Sequence, residues 1–339
     1  AKNELIITYS TQNDSGKQTL LADFLVSLEL PETTVRDTSE ELRIQNAQRA
    51  WYEPLIEPTK ELSALLAPQL ETFKLSATSL NAFLDIPRGG PQGFLLNNLL
   101  HFPKAKAPSA AYGTAVHRTL QQAHTHMAAN GERKPLEDSL HDFEVALANE
   151  RLSDKDYQQY LLQGSEHLTT FLSSGVVSFT DTQKAEAGFS HQDVHIGDAR
   201  ITGSLDVLDI DEKAKEITVT DYKTGKPSLA WDKGDDRTKL KLHKYRQQLV
   251  FYKLLVENSR SYGSYTVTQG KLAFVEPTAS RESIVLNLDL TTEEYDHTVQ
   301  LIKAVWKHIV TLNLPDTSGY SDDYKGVLAF EQDLIDEIV

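Results

Sequence analysis

An α/β fold, a mixed central sheet covered by helices, follows from two changes of hydrophobic period along this 339-residue chain. Apolar residues recur at helical spacing from about 110 to 173, then alternate in strand fashion from about 183 to 224. A helix, a strand pair and another helix come next, and the resulting order of helix, strands, helix, strands, helix is that of a sheet with helices packed over it.

The elements follow in order. NELIITYS (3–10) reads as a strand, KQTLLADFLVSLEL (17–30) as a helix stopped by Pro31, and 38–74 as acidic amphipathic helices. An opening strand without a hairpin mate is expected either of an edge strand on the main sheet or of a piece cut from a larger protein. LSATSLNAFLDIP (75–87) is a helix with Ser76 or Thr78 as its cap, ending near Pro87. A lysine-bearing stretch leads to a helix over about 110–129, and two further helical patterns run through 135–152 and 154–172. QKAEAGFSHQDV (183–194), ARITGSLDVLDID (199–211) and KEITVTDYKT (215–224) are strands, the last two joined by a short turn. KPSLAWDKGDDRTKLK (226–241) reads as a charged loop before a helix at 243–258. Strands at 265–276 and 282–290, a helix at 291–312 and a polar tail with one last apolar stretch complete the chain.

Composition excludes several classes of function. With no cysteine, the chain has no disulfide, no cysteine-ligated zinc, no iron–sulfur cluster and no thiol nucleophile. No run approaches the roughly 18 apolar residues of a membrane span, and the first residues are not those of a signal peptide. A net charge of −15 argues against whole-surface attraction to nucleic acid, so such a partner needs a local basic patch or bound cations. A cytoplasmic location and no membrane partner are expected.

The chemistry concentrates in ITVTDYKTGKP (217–227). Residues two apart on a strand share a face, so Asp221 and Lys223 point one way and Tyr222 the other. Asp206, on the preceding strand, can lie beside Asp221 across the ladder. Two adjacent carboxylates repel unless a cation lies between them, and hard oxygen donors suit Mg²⁺ or Mn²⁺. A lysine beside such an ion can orient the attacking water or offset charge on a phosphoryl oxygen; the plain alternative is a surface ion pair of little consequence. His117 on its helix can add an imidazole ligand, and His124, seven residues on, either extends this lining or meets solvent. Eight lysines or arginines fall between 223 and 246 against three aspartates. Among them Lys226, Lys239, Lys241, Lys244 and Arg246 are candidate phosphate contacts, and Trp231 is a candidate base-stacking platform; a solvated helix start with its loop is the alternative. Gln248 and Tyr252 share a helix face.

Four segments in sequence, GTAVH (113–117), GSLD (203–206), DYKTG (221–225) and QLVFY (248–252), resemble the G-x-x-x-H, G-x-x-D, D-x-K and Q-x-x-x-Y motifs of the RecB-type branch of the PD-(D/E)xK nuclease superfamily. Each motif alone is unspecific; their order and the elements that carry them are not. The resemblance covers roughly 75–315 and implies a restriction-endonuclease-like mixed sheet flanked by helices, with an added helical N-terminal region. It also implies Mg²⁺- or Mn²⁺-dependent hydrolysis of DNA. His117, Asp206, Asp221 and the main-chain carbonyl of Tyr222 correspond to its metal ligands, Lys223 to its catalytic lysine, and Gln248 and Tyr252 to residues lining the site. Several relatives hold an iron–sulfur cluster between the entry helix and the C-terminus. Here Asp85-Ile86-Pro87 stands at the entry position, no cluster is expected, and packing must hold those ends.

AKNELIITYS and GKQTLLADFL resemble the stretch after the last motif of UvrD-like superfamily 1 helicases. On that resemblance 1–27 is a helicase stub, 28–74 a helical linker and 75–339 the nuclease domain. The implied partners are DNA, as single strands or duplex ends, a helicase motor in the same full-length protein, and a second helicase–nuclease subunit. No GxxxxGK[ST] loop is present, so ATP binding by that route is not expected. A nuclease fold without activity, serving as a DNA-binding scaffold, is the competing reading.

Overall fold

The main sheet fixes where the elements of the site meet. The computed structural model describes residues 58–337, so the strand expected at 3–10, the stub 1–27 and most of the linker 28–74 lie outside the described residues. Helix α1 is Pro58–Thr72 and α2 Ala77–Leu84. A 3₁₀ turn at Ile86–Arg88, the short α3 at Gly90–Phe94 and a π-helical turn at Leu95–Leu99 follow. Helices α4 (Pro108–Asn130), α5 (Leu136–Ala148) and α6 (Asp154–Ser174) form the first helical layer.

The strands are β1 (Gln183–Gly188), β2 (Val194–Ile196), β3 (Ala199–Ile201), β4 (Ser204–Asp211) and β5 (Glu216–Lys223). After α7 (Asp236–Glu257) come β6 (Thr266–Phe274) and β7 (Ile284–Asp289), then α8 (Thr292–Thr311) and α9 (Tyr324–Asp336). Five strands form the main sheet in the order β1-β4-β5-β6-β7. Only β5 and β6 run parallel, with α7 as their crossover; the other pairs are antiparallel, so the sheet is mixed as expected.

The strand expected over 183–194 stops at Gly188, and its last residue, Val194, opens the separate β2. The strand expected over 199–211 breaks at Thr202–Gly203, and its first part pairs with β2 in a separate hairpin. A Cβ on Gly203 would stand 2.8 Å from Leu255 Cδ1, so a side chain there would require the buried Leu255 to shift. The segment 236–241, read as loop, is the first part of α7. Asp235 caps it by accepting from the Thr238 amide at 2.9 Å, and the Leu, Lys and Arg residues that follow are good helix formers. The last apolar stretch is helix α9. Ser76, not Thr78, caps α2, accepting from the Ser79 amide at 3.1 Å.

Each face of the sheet buries its own cluster. Ile217 and Val219 of β5 pack with Leu249, Leu272, Leu301, Val305 and Phe330 under α7, α8 and α9. Val207, Tyr222 and Ala273 pack with Val116, Leu120, Phe143 and Phe171 under α4, α5 and α6. The alternation of β5 thus aims Asp221 and Lys223 at α7 while Tyr222 plugs the opposite core.

The entry helix and the C-terminal helix are joined by packing and by charge. Phe83 stacks on Phe330, with ring centroids 6.5 Å apart. Asp85 at the end of α2 lies 2.7 Å from Lys244 Nζ of α7. Glu331 of α9, 1% exposed, is met by His243 Nε2 at 3.0 Å and by Gln247 Nε2 at 2.8 Å, also from α7. Packing was the only expectation for these ends; the polar contacts between three elements far apart in sequence add to it.

Candidate metal centre

At the C-terminal end of β5, helices α4 and α7 approach from opposite faces and deliver side chains to one place. The approach of α4 is close: a Cβ on Gly113 would lie 3.3 Å from Thr224 Oγ1, just past the strand end. One turn later α4 presents His117, whose Nδ1 lies 3.2 Å from Asp206 Oδ1. The other Asp206 oxygen accepts the Tyr222 main-chain N–H at 2.7 Å, which fixes the carboxylate against the end of β5. Continuing the β4–β5 register one step beyond Val207↔Thr220 sets Asp206 opposite Asp221.

A third donor was not read from the sequence. Glu186 of β1 sits where the register of Ala185↔Val207 and Ala187↔Leu205 leaves a gap, facing Asp206 across the ladder. Its backbone is left-handed, at φ 50°, an uncommon conformation for a residue with a Cβ. Ser204 Oγ donates to its Oε2 at 3.1 Å. Ligand atoms of His117, Glu186 and Asp206 all lie within 4.8 Å of one another, the cluster of this kind found among the described residues. The signal that could have found Glu186 is its place in the alternating stretch 183–188. Its register against β4 is set across residues 189–203, which carry a hairpin of their own, and no local pattern gives that.

Asp221 stands beside this cluster. It is 2% exposed; its Oδ1 accepts from Tyr252 Oη at 3.3 Å, and its Oδ2 lies 2.6 Å from Lys223 Nζ. That second contact is a close ion pair, so the ammonium meets Oδ2 directly. Lys223 Nζ donates to Gln248 Oε1 at 2.7 Å, and Gln248 in turn donates to Tyr252 Oη. The structure therefore brings Lys223, Asp221, Gln248 and Tyr252 into one chain of contacts, adjoining the His117–Asp206 pair.

The electrostatics follow from burial and charge crowding. Burial, then the neighbouring Asp206, raise the Asp221 carboxyl above the usual range, against the pull of Lys223. Burial and Asp206 likewise raise Glu186. Burial works against the His117 imidazolium, but the hydrogen bond and charge of Asp206 outweigh it and the net shift is upward. For Lys223 burial is again opposed, and overcome, by Asp221, so the ammonium is held in its charged form. Two carboxylates beside one imidazole, with Asp221 adjoining, are a donor set suited to Mg²⁺ or Mn²⁺.

Tyr245 is a second residue that sequence reasoning passed over. It lies one turn before Gln248 on α7, and the Lys223 ammonium sits 4.3 Å from its ring centroid. A cation over a ring face in a partly desolvated place is held by about 1–2 kcal/mol. Tyr245→Leu is therefore expected to lower the unfolding free energy by about 1–2 kcal/mol more than Tyr245→Phe, which keeps the ring face. Urea unfolding of the pair checks this.

His124 neither extends the metal lining nor meets solvent. It is 1% exposed behind β5, with Nε2 2.8 Å from Tyr222 Oη. Burial lowers its pKa from 6.5 to about 4. Below pH 6.5 the unfolded chain takes up a proton that the folded chain refuses, so stability falls as pH drops from 6.5 towards 4 and is flat beyond. The loss is about 3 kcal/mol. The urea-unfolding difference between wild type and His124→Leu should move by that amount between pH 7 and pH 4, in favour of the variant at low pH.

The candidate DNA contacts divide. Lys244 is spent on Asp85 at 2.7 Å, and Arg246 pairs with Glu294 at 3.2 Å while lying over the Trp231 ring at 5.4 Å. Trp231 also donates its indole N–H to the Asn287 carbonyl at 2.6 Å, so neither its ring nor its edge is free of partners. Lys241 donates to the Lys226 carbonyl at 3.0 Å, and burial lowers its pKa. Lys226 is exposed and Lys239 half-buried, and neither makes an ion pair among the described residues.

A mixed five-stranded sheet with an acidic cluster and a lysine at the end of its central strand defines an α/β domain with a candidate cation site. Residues 74–319 match the model of the PD-(D/E)XK nuclease superfamily, and the chain belongs to that superfamily. Among solved structures it is similar to a "Putative exonuclease" from Eubacterium rectale, at 12% identity and a TM-score of 0.41, over 77% of this chain and 88% of that one. No curated protein matches it. No helix among the described residues is long and apolar enough to cross a membrane.

Proposed function

We propose that this chain is a RecB-type nuclease domain that hydrolyses DNA phosphodiester bonds with Mg²⁺ or Mn²⁺, exonucleolytically, on DNA fed to it by a helicase motor. The observation that carries the reading is the adjacency of the His117–Glu186–Asp206 donors to the Lys223–Asp221 pair. His117, Glu186 and Asp206, with Asp221 at their side, would hold the ion. When bound, it would supply charge for the phosphoryl oxygen and acidify water.

The chain's own residues do the rest. The Lys223 ammonium offsets charge on a phosphoryl oxygen in the transition state, and Gln248 and the Tyr245 ring fix its position. Tyr252, whose hydroxyl stays protonated because burial and then Asp221 raise its pKa, holds Asp221 as a hydrogen-bond donor. The exposed cations Lys226, Lys233 and Arg237 lie beyond the same strand end and supply sequence-independent attraction to the backbone.

The scaffold reading has one observation in its favour: the Asp221 carboxylate is turned to Lys223 and Tyr252 and stands outside the 4.8 Å cluster. End-labelled single- and double-stranded DNA, linear and circular, incubated with Mg²⁺, Mn²⁺ or EDTA separates the two. Divalent-dependent loss of label from linear ends supports the exonuclease; DNA retention without cleavage in either metal supports the scaffold.

A further inference from the structure

We infer that His124 is a positioning residue of the metal centre: through the Tyr222 hydroxyl it fixes the residue that orients both Asp206 and His117. This role rests on the metal-ion reading above, and it gives the core behind β5 a part in building the site.

Tyr222 connects the two sides of the sheet. Its main-chain N–H donates to Asp206 Oδ2 at 2.7 Å. Its ring, 2% exposed, meets the His117 ring edge to face, with centroids 6.4 Å apart and planes at 81°. Its hydroxyl, at the far end of the ring, lies 2.8 Å from His124 Nε2. A hydroxyl that burial keeps protonated donates there to an imidazole that burial keeps neutral. Two donors of the cation site therefore lean on one tyrosine, and His124 holds that tyrosine's polar end.

The anchor is itself fixed. His124 is 1% exposed and packs against Tyr222 and Phe179, with ring centroids 6.1 Å and 4.5 Å away. Helix α4 carries it two turns beyond His117, so one rigid element sets the distance between the ligand imidazole and the anchoring one. Phe171 meets the Tyr222 ring edge to face at 5.9 Å. Apolar neighbours alone leave a ring some freedom to rock, whereas a hydrogen bond at its tip sets the ring's depth. Without His124 the hydroxyl would be buried and unmet, and the ring would be drawn toward another partner, carrying its amide away from Asp206.

The test compares the full chain with His124→Leu, His124→Gln, Tyr222→Phe and His124→Leu/Tyr222→Phe near neutral pH. Calorimetry gives the Mn²⁺ affinity, and NMR in EDTA gives the chemical shift of the residue-222 amide proton. Urea curves supply the folded fraction, so that a loss of stability alone leaves the corrected affinity where it was. His124→Leu is expected to weaken Mn²⁺ about tenfold, the low end of outer-shell effects, and to move the amide proton upfield as its bond to Asp206 lengthens. Tyr222→Phe should do the same, and it carries the comparison if His124→Leu does not fold. His124→Gln, whose amide oxygen can accept from the hydroxyl, should recover most of both signals. The double variant should bind no more weakly than the weaker single variant, because both changes break one hydrogen bond. Affinity within about twofold of wild type and an unmoved amide resonance in the single variants overturn the role of His124, as do losses that simply add in the double variant. Should wild type bind no Mn²⁺, the metal reading fails, while the amide shift in EDTA still decides whether His124 positions the Tyr222 N–H against Asp206.

Discussion

Lys223→Ala is expected to lower divalent-dependent DNA cleavage by about 10²–10³-fold or more, the loss that follows removal of one preorganised transition-state donor. The substitution also strips Asp221, 2% exposed, of its counter-ion. A buried charge left unpaired costs about 3–5 kcal/mol, so in EDTA the variant should also unfold at lower urea. Two controls separate chemistry from folding. Adding Mn²⁺ should recover part of the lost stability, because the freed Asp221 oxygen lies next to the other donors, without recovering cleavage. The double variant Lys223→Ala/Asp221→Asn should regain stability in EDTA and stay inactive. Full cleavage by Lys223→Ala would remove Lys223 from the chemistry altogether.

Asp206→Ala is expected to produce the largest loss of cation affinity, about 100-fold or more, since outer-shell changes alone typically cost 10–100-fold. Asp206 joins three parts of the centre: it meets His117 at 3.2 Å, the Tyr222 amide at 2.7 Å and the Glu186 carboxylate within the same cluster. Its removal also leaves the Tyr222 N–H without its acceptor, a stability cost of about 1–3 kcal/mol. Glu186→Gln keeps the shape and loses the charge, and should weaken Mn²⁺ by roughly tenfold without that stability cost. Calorimetric Mn²⁺ titration of the three proteins, beside their urea curves, reads both quantities. Equal affinity in wild type and Glu186→Gln would restrict the donors to His117, Asp206 and Asp221.

Much of the fold was legible because period and punctuation are local. The helix at Pro108–Asn130, the strand at Glu216–Lys223 and the helix at Thr292–Thr311 fall within a few residues of their predicted places. Their apolar spacing, caps and turns all agree. The break between β3 and β4 was not legible, because β3 leaves the main sheet to pair with β2, and nothing in the alternation of 199–211 marks that change of partner. The early start of α7 could have been read from the Asp235 cap, and the run of charges after it hid the helix.

The candidate site divides along the same line. The sequence by itself determined which residue types stand where: Asp221 and Lys223 on one strand face, Asp206 one ladder position away, His117 on a helix, and Gln248 and Tyr252 one turn apart. These are consequences of residue spacing within single elements or across one tight turn. Only the tertiary structure decided that Glu186 joins the acidic cluster, that the Tyr245 ring holds Lys223, that His124 supports the core side of β5, and that Lys244 and Arg246 are already paired. Each of those facts depends on a register or an ion pair between segments far apart in the chain. Such contacts are fixed by how whole elements pack and compensate charge, and they leave no local periodicity to read.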